Sequence, residues 1–98
     1  MLDTFTLEVF TALVASDFGL TDGSGTNIKL ELIEAQSVGA AAAGMSREPF
    51  SLTFGGPREP LLAQGTYRLA HGELGEFDLF MVPIGQDADS TRYEAVFA

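Results

Sequence analysis

P-F-S-L-T-F-G-G-P-R-E-P-L-L-A-Q-G-T-Y-R-L-A-H-G-E-L-G-E-F-D-L-F-M-V-P-I-G, residues 49–85, is the stretch that decides the fold class. Apolar and polar residues alternate in it in short bursts. Glycine or proline interrupts it at intervals of about ten residues, the pattern of short antiparallel strands. Phe50, Leu52 and Phe54 share one face of a strand, opposite Ser51 and Thr53, and Gly55-Gly56-Pro57 is expected to end it. Pro57 and Pro60 then bracket an exposed Arg58-Glu59 corner. Thr66 to His71 reads as a further strand, with Tyr67, Leu69 and His71 on one face and Arg68 and Ala70 on the other. Gly72-Glu73-Leu74-Gly75 connects it tightly to a strand from Glu76 to Ile84. Gln86-Asp87-Ala88-Asp89-Ser90 leads on to a last strand from Thr91 to Phe97, so the final three strands form a meander.

Within this meander Leu79-Phe80-Met81-Val82 is apolar at every position. A strand apolar on both faces belongs between two layers, and Val96 beside Phe97 suggests the same of the last strand. The sheet is therefore expected to curl on itself, pack on a second sheet, lie under a helix, or dock on another chain. The aromatic residues Phe50, Phe54, Tyr67, Phe77, Phe80, Tyr93 and Phe97 fall at strand period and read as core.

Upstream, residues 4–14 carry two patterns. Leu7, Phe10, Leu13 and Val14 have the spacing of one helix face, with Thr4 or Thr6 as cap and Glu8 in the first turn. Phe5, Leu7 and Val9 alternate as a strand would, and the Thr and Val content suits that. The short helix is the preferred reading. Asp17 to Leu20 follows as a strand, Thr21-Asp22-Gly23-Ser24-Gly25 as a hairpin turn, and Thr26 to Gln36 as a strand with Ile28, Leu30 and Leu32 on one face. Ile33 breaks that alternation and predicts a bulge or a strand end. Gly39-Ala40-Ala41-Ala42-Ala43-Gly44 is too short and too glycine-bracketed for a stable helix and reads as a surface loop that a partner orders.

A chain of 98 residues is one domain, spanning 1–98, and a domain of this size buries roughly 60–65% of the surface its unfolded chain exposes. The expected fold is mainly β: a small antiparallel barrel or sandwich of about six strands with one short N-terminal helix. With no cysteine, disulfides, cysteine-ligated zinc and thiol catalysis are excluded. Met1-Leu2-Asp3 begins neither a basic n-region nor an apolar h-region, and no apolar run approaches the ~20 residues of a membrane span. These features fix no location, and the cytoplasm is the expectation they leave. Fourteen acids against five bases give a net charge of −9. That balance disfavours nucleic acid, whose binding needs Lys and Arg to displace counterions, and anionic membrane surfaces for the same reason. A mean hydropathy of +0.18 beside so much acid suggests apolar surface that a protein partner, or a second copy, hides.

Taken together, F-S-L-x-F at 50–54, G-P at 56–57, Q-G-x-Y-x-L-x-H at 64–71, L-G at 74–75, L-F-x-V-P-x-G at 79–85 and R-Y-E-A-V-F at 92–97 resemble a bacterial domain family of unknown function. Its members are short proteins of about this length, and the similarity spans nearly the whole chain. The resemblance implies no activity, cofactor or catalytic residue. It does imply gene neighbours resembling phage-tail-collar proteins, and hence a part in a tail-like or surface-exposed assembly.

Candidate chemistry is sparse. His71 is the only histidine, so any triad or polyhistidine site must pass through it. A general base needs a positioned partner and a nucleophile. Ser51, Thr66 and Ser90 lack any nucleophile context, and no G-x-S-x-G is present. His71 is accordingly expected to bond backbone at its turn. Asp22-Gly23-Ser24-Gly25-Thr26-Asn27 lacks the spacing and the terminal acid of a calcium loop. Asp87 and Asp89 are expected to satisfy backbone N–H groups of their own turn rather than hold a cation. Gly55-Gly56 leads to Pro57 and to no lysine-bearing helix, so it is no phosphate cradle. No metal or cofactor is expected. Arg58 and Arg68 are partner-contact candidates, because Arg makes bidentate and stacking contacts at interfaces; a charge pair with a nearby Glu is the structural alternative. Phe80 and Val82 join them as apolar contact candidates. The expected function is that of a non-enzymatic structural or adaptor module that docks on a protein, with edge strands such as 17–20 or 91–97 available to add a neighbour's strand. The alternative is a β-barrel that holds a small apolar ligand among Phe50, Phe54, Phe77 and Phe80.

Overall fold

A computed structural model describes residues 6–21, 25, 27–37, 49–59 and 61–97. One helix, α1 (Leu7–Thr11), precedes six strands: β1 (Asp17–Thr21), β2 (Asn27–Ser37), β3 (Phe50–Pro57), β4 (Gly65–His71), β5 (Gly75–Gln86) and β6 (Ser90–Phe97). Every neighbouring pair is antiparallel, and the sheet closes on itself in the order β1-β2-β3-β6-β5-β4. The fold is thus a barrel rather than a sandwich. The meander β4-β5-β6 is present as expected. The Asp22–Ser24 turn, Thr26, the alanine-rich 39–44 loop and the Thr4 cap lie outside the described residues.

Alternation along the strands builds the core. Ile28, Leu30 and Leu32 of β2, Phe50, Leu52 and Phe54 of β3, Leu69 of β4, and Leu79 and Met81 of β5 all point inward and are buried. The bulge expected at Ile33 is there: the β2–β3 register shifts between Leu32 and Glu34. A second shift, between Pro83 and Gly85 on β5, leaves Ile84 exposed.

Both ends of the barrel are plugged. Antiparallel order places the end of β3 and the start of β4 at the same rim, with β6 and β5 between them, and Arg58, Glu59 and residues 61–64 lie at that opening, Pro60 of the expected corner falling outside the described residues. Leu62 is buried there, and its N–H donates to the buried Tyr93 hydroxyl at 3.0 Å. At the opposite rim α1 turns in Phe10. Thr6 caps the helix, its hydroxyl accepting from Val9 N–H at 3.3 Å. The Phe10 ring meets those of Phe18, Phe50, Phe77 and Phe97 at centroid distances of 6.5, 5.9, 6.5 and 5.5 Å. Ala15 then takes φ 77° to swing the chain into β1.

Three expectations need correction. First, Gly55-Gly56-Pro57 does not end β3, which pairs with β6 as far as Pro57↔Ser90. The two glycines allow close approach inside the strand: a Cβ on Gly56 would stand 2.6 Å from Leu30 Cδ2, and one on Gly55 2.8 Å from Ile33 Cδ1. Proline is tolerated as the last residue because the ladder needs no further N–H there. Second, strands 17–20 and 91–97 are not edges. β1 pairs with both β2 and β4, and β6 with both β3 and β5, so each already has a neighbouring strand on both sides. Third, Phe80 is not core. Curling the sheet buries one face only, and Phe80 stands on the other, 50% exposed.

Candidate interaction surface

Period-2 geometry puts Phe80 and Val82 of β5 on the outer wall, since their neighbours Leu79 and Met81 point into the core. Across the β5–β6 ladder Val82 faces Glu94, and across β3–β6 Glu94 faces Thr53. Val96 lies two residues further along β6 on the same face. Phe80, Ile84 and Val96 are 50, 52 and 58% exposed, while Val82 and Glu94 are half-buried. The outer wall of β5 and β6 therefore carries three large exposed apolar side chains around a strip of Val82 and Glu94. Among the described residues the Glu94 carboxylate has neither an ion pair nor a hydrogen bond.

Arg68 stands on β4 diagonal to Phe80, through the register Thr66↔Phe80 and Arg68↔Asp78. Its Nε donates to Asp78 Oδ1 at 2.6 Å and its Nη1 to Glu76 Oε1 at 3.4 Å. The hydrogen bond to Asp78, chiefly, holds the guanidinium above its ordinary pKa. Arg68 is thus engaged in a charge pair within the barrel wall. Arg58 sits apart, at the rim where Leu62 is buried. Its Nη1 donates to the Asp87 carbonyl, and its own carbonyl accepts from Gln86 Nε2 at 3.0 Å and from the buried Thr91 hydroxyl at 3.4 Å. These bonds fasten Arg58 to the β5–β6 turn. Arg58, Arg68, Phe80 and Val82 therefore do not converge: Phe80 and Val82 share a face, Arg68 borders it, and Arg58 braces the rim.

The β5–β6 turn is organised by Asp87. Its Oδ1 accepts from Asp89 N, Ser90 N and Ser90 Oγ at 2.9, 2.8 and 3.1 Å. The Asp89 and Ser90 backbone donors, first of all, hold the Asp87 carboxyl below the usual carboxylate range. Arg92 Nη2 lies 3.6 Å from Asp87 Oδ2. Ile84, Gly85, Gln86, Asp87 and Arg92 line a surface hollow of about 230 Å³. Asp87 spends its carboxylate on its own turn, as its sequence context predicts, and among the described residues no cluster of three or more His, Asp or Glu residues is placed to hold a metal.

His71 closes the other rim. Its Nδ1 accepts from Glu73 N–H at 3.0 Å, and its Nε2 lies 3.1 Å from Ser16 Oγ. The Ser16 hydroxyl proton is directed to the Leu13 carbonyl, so the neutral ring carries its proton on Nε2 and donates it to Ser16. The ring also packs on Phe18 at 4.5 Å. Both nitrogens are used in joining α1's exit to the β4–β5 turn, the structural role the sequence suggests.

Sequence reasoning missed Ile84 and Glu94 as surface residues. Ile84 lies in phase with Phe80 and Val82, but the register shift between Pro83 and Gly85 falls on it, so its exposure is set by an irregularity that periodicity does not show. Glu94 has a partial signal: it lies in phase with Val96, so whatever turns Val96 outward turns Glu94 outward too. Among the described residues no helix is long and apolar enough to cross a membrane. A family model described as Domain of unknown function (DUF6916) matches residues 5–97. No curated protein and no solved structure matches the chain.

Proposed function

Starting from the fact that the chain belongs to the family described as Domain of unknown function (DUF6916), whose description assigns no activity, we propose that it is a non-enzymatic docking module that binds a protein through the outer wall of β5 and β6. The observation that carries this reading is the clustering of Phe80, Ile84 and Val96, each at least half exposed, on two adjacent strands whose inner faces are already buried. Barrel closure covers nothing on the outside, and large apolar side chains grouped on an outer wall mark interaction sites more often than singly scattered ones do. The barrel interior gives no comparable support to a small apolar ligand, because the Phe10 ring occupies the space between Phe18, Phe50, Phe77 and Phe97. A component of a tail-like or surface assembly is one partner of the required kind.

The test is site-specific photo-cross-linking in the cells that naturally carry the gene, with p-benzoylphenylalanine in place of Phe80, Val96 or, as a control on β2, Lys29. The expected result is discrete protein adducts from positions 80 and 96 and none from 29. Equal yields from all three positions, or no adduct at 80, would refute the docking face.

A further inference from the structure

Resting on that docking face, we infer that its partner is a basic protein segment that sets a Lys or Arg against Glu94 and apolar side chains against Phe80, Val82 and Val96. Of the five bases in the chain, Lys29 pairs with Asp17, Arg68 with Asp78 and Glu76, and Arg92 with Asp87. Arg58 is bonded to the Asp87 carbonyl at the far rim, and Arg47 lies outside the described residues. Glu94 is left half-buried between Val82 and Thr53 without a counter-charge among the described residues. Covering the neighbouring apolar side chains takes water from Glu94 as well, and a carboxylate desolvated without a partner is costly. An occupant of this face must therefore bring a cation. A second copy brings its own −9 and a face with the same unpaired acid, so self-association is the poorer fit.

The geometry also sets spacing. Val96 and Glu94 are two residues apart on β6, about 7 Å along the strand, and Val82 lies directly across from Glu94. An extended segment with the pattern apolar-x-Lys-x-apolar repeats that interval on one of its faces. The contact gains specificity because an acidic or neutral residue opposite Glu94 leaves the carboxylate buried and unpaired.

The probe is the acetylated and amidated peptide Thr-Val-Thr-Leu-Thr-Lys-Thr-Leu-Thr, titrated into the full chain with amide chemical shifts as readout, together with its Lys-to-Gln analogue. Expected are shifts confined to residues 80–84 and 92–96 and a loss of about five-fold in affinity for the Gln analogue. Glu94→Gln should remove that difference between peptides, whereas Glu73→Gln, which takes the same charge from the β4–β5 turn, should keep it. Shifts spread over acids elsewhere, an undiminished peptide difference in Glu94→Gln, or no binding would overturn the basic-partner inference. Dimerisation through this face, seen by sedimentation without peptide, would overturn it too. Each of these results leaves the cross-linking test of the docking face standing on its own.

Discussion

Gly56→Ala is expected to destabilise the barrel, while Gly55→Ala one residue away is tolerated. At Gly56 a new Cβ would stand 2.6 Å from Leu30 Cδ2 and 3.5 Å from Tyr93 Cε2. Leu30 is fully buried and Tyr93 nearly so, so the clash is relieved only by moving packed side chains, at a cost of about 1–3 kcal/mol. Replacing a strand glycine returns about 0.5–1 kcal/mol through the unfolded chain. The net loss is therefore at most about 2.5 kcal/mol and about 1 kcal/mol at the middle of these ranges, a fall in Tm of about 4–8 °C for a domain of this size. At Gly55 the clash is with Ile33 Cδ1 at 2.8 Å, but Ile33 is 39% exposed and free to turn outward, so stability should hold or rise slightly. Thermal and urea unfolding followed by circular dichroism measure both variants; the urea midpoint should fall for Gly56→Ala with the slope m unchanged. Leu30→Val, which shortens the obstructing side chain, should cost less in the Gly56→Ala background than alone, a coupling of about 0.5 kcal/mol or more. Equal losses at positions 55 and 56, or no coupling with Leu30, would refute the close-packing argument.

Phe10→Ala should cost about 3–5 kcal/mol, because it empties one rim of the barrel of the ring that touches four other phenylalanines; calorimetry measures the loss, and a variant as stable as the parent would show that α1 is not the plug. Ala15→Gly should stabilise the fold by about 0.5–1 kcal/mol, since Ala15 sits at φ 77° where glycine has no Cβ penalty; a lower urea midpoint would contradict it. Asp87 has a lowered folded pKa, so its contribution to stability is present above its unfolded value near 3.8 and is lost as the pH falls through the folded pKa. The Tm difference between the parent and Asp87→Ala should therefore be largest at neutral pH and shrink in acid, and a difference that grows in acid would reverse the sign of the argument.

Much of the barrel is legible in the chain because strand period is local. Alternation at 28–32, 50–54 and 66–71 already sorts inward from outward residues, the lapse at Ile33 marks a real bulge, and the helical spacing of Leu7, Phe10 and Leu13 marks α1. The local chemistry of Asp87 and His71 is legible for the same reason, since both bond to residues within three positions of themselves. The candidate surface is less so. Leu79-Phe80-Met81-Val82 shows two apolar faces, but periodicity states only that Phe80 and Val82 share a side.

What covers a side is a property of the closed sheet. Pairing of β3 with β6 and of β1 with β4 joins strands far apart in the chain, and no nearby residue encodes either register. Closure brings Phe10 against Phe50 and Phe97, places Leu62 under Tyr93, and leaves Phe80, Ile84, Glu94 and Val96 on the outer wall. The sequence by itself determined the strands, their inward faces and the caps and turns, which depend on neighbours a few residues away. Only the tertiary structure decided which apolar face is core and which is surface, because burial depends on long-range pairings that set where each strand's second face ends up.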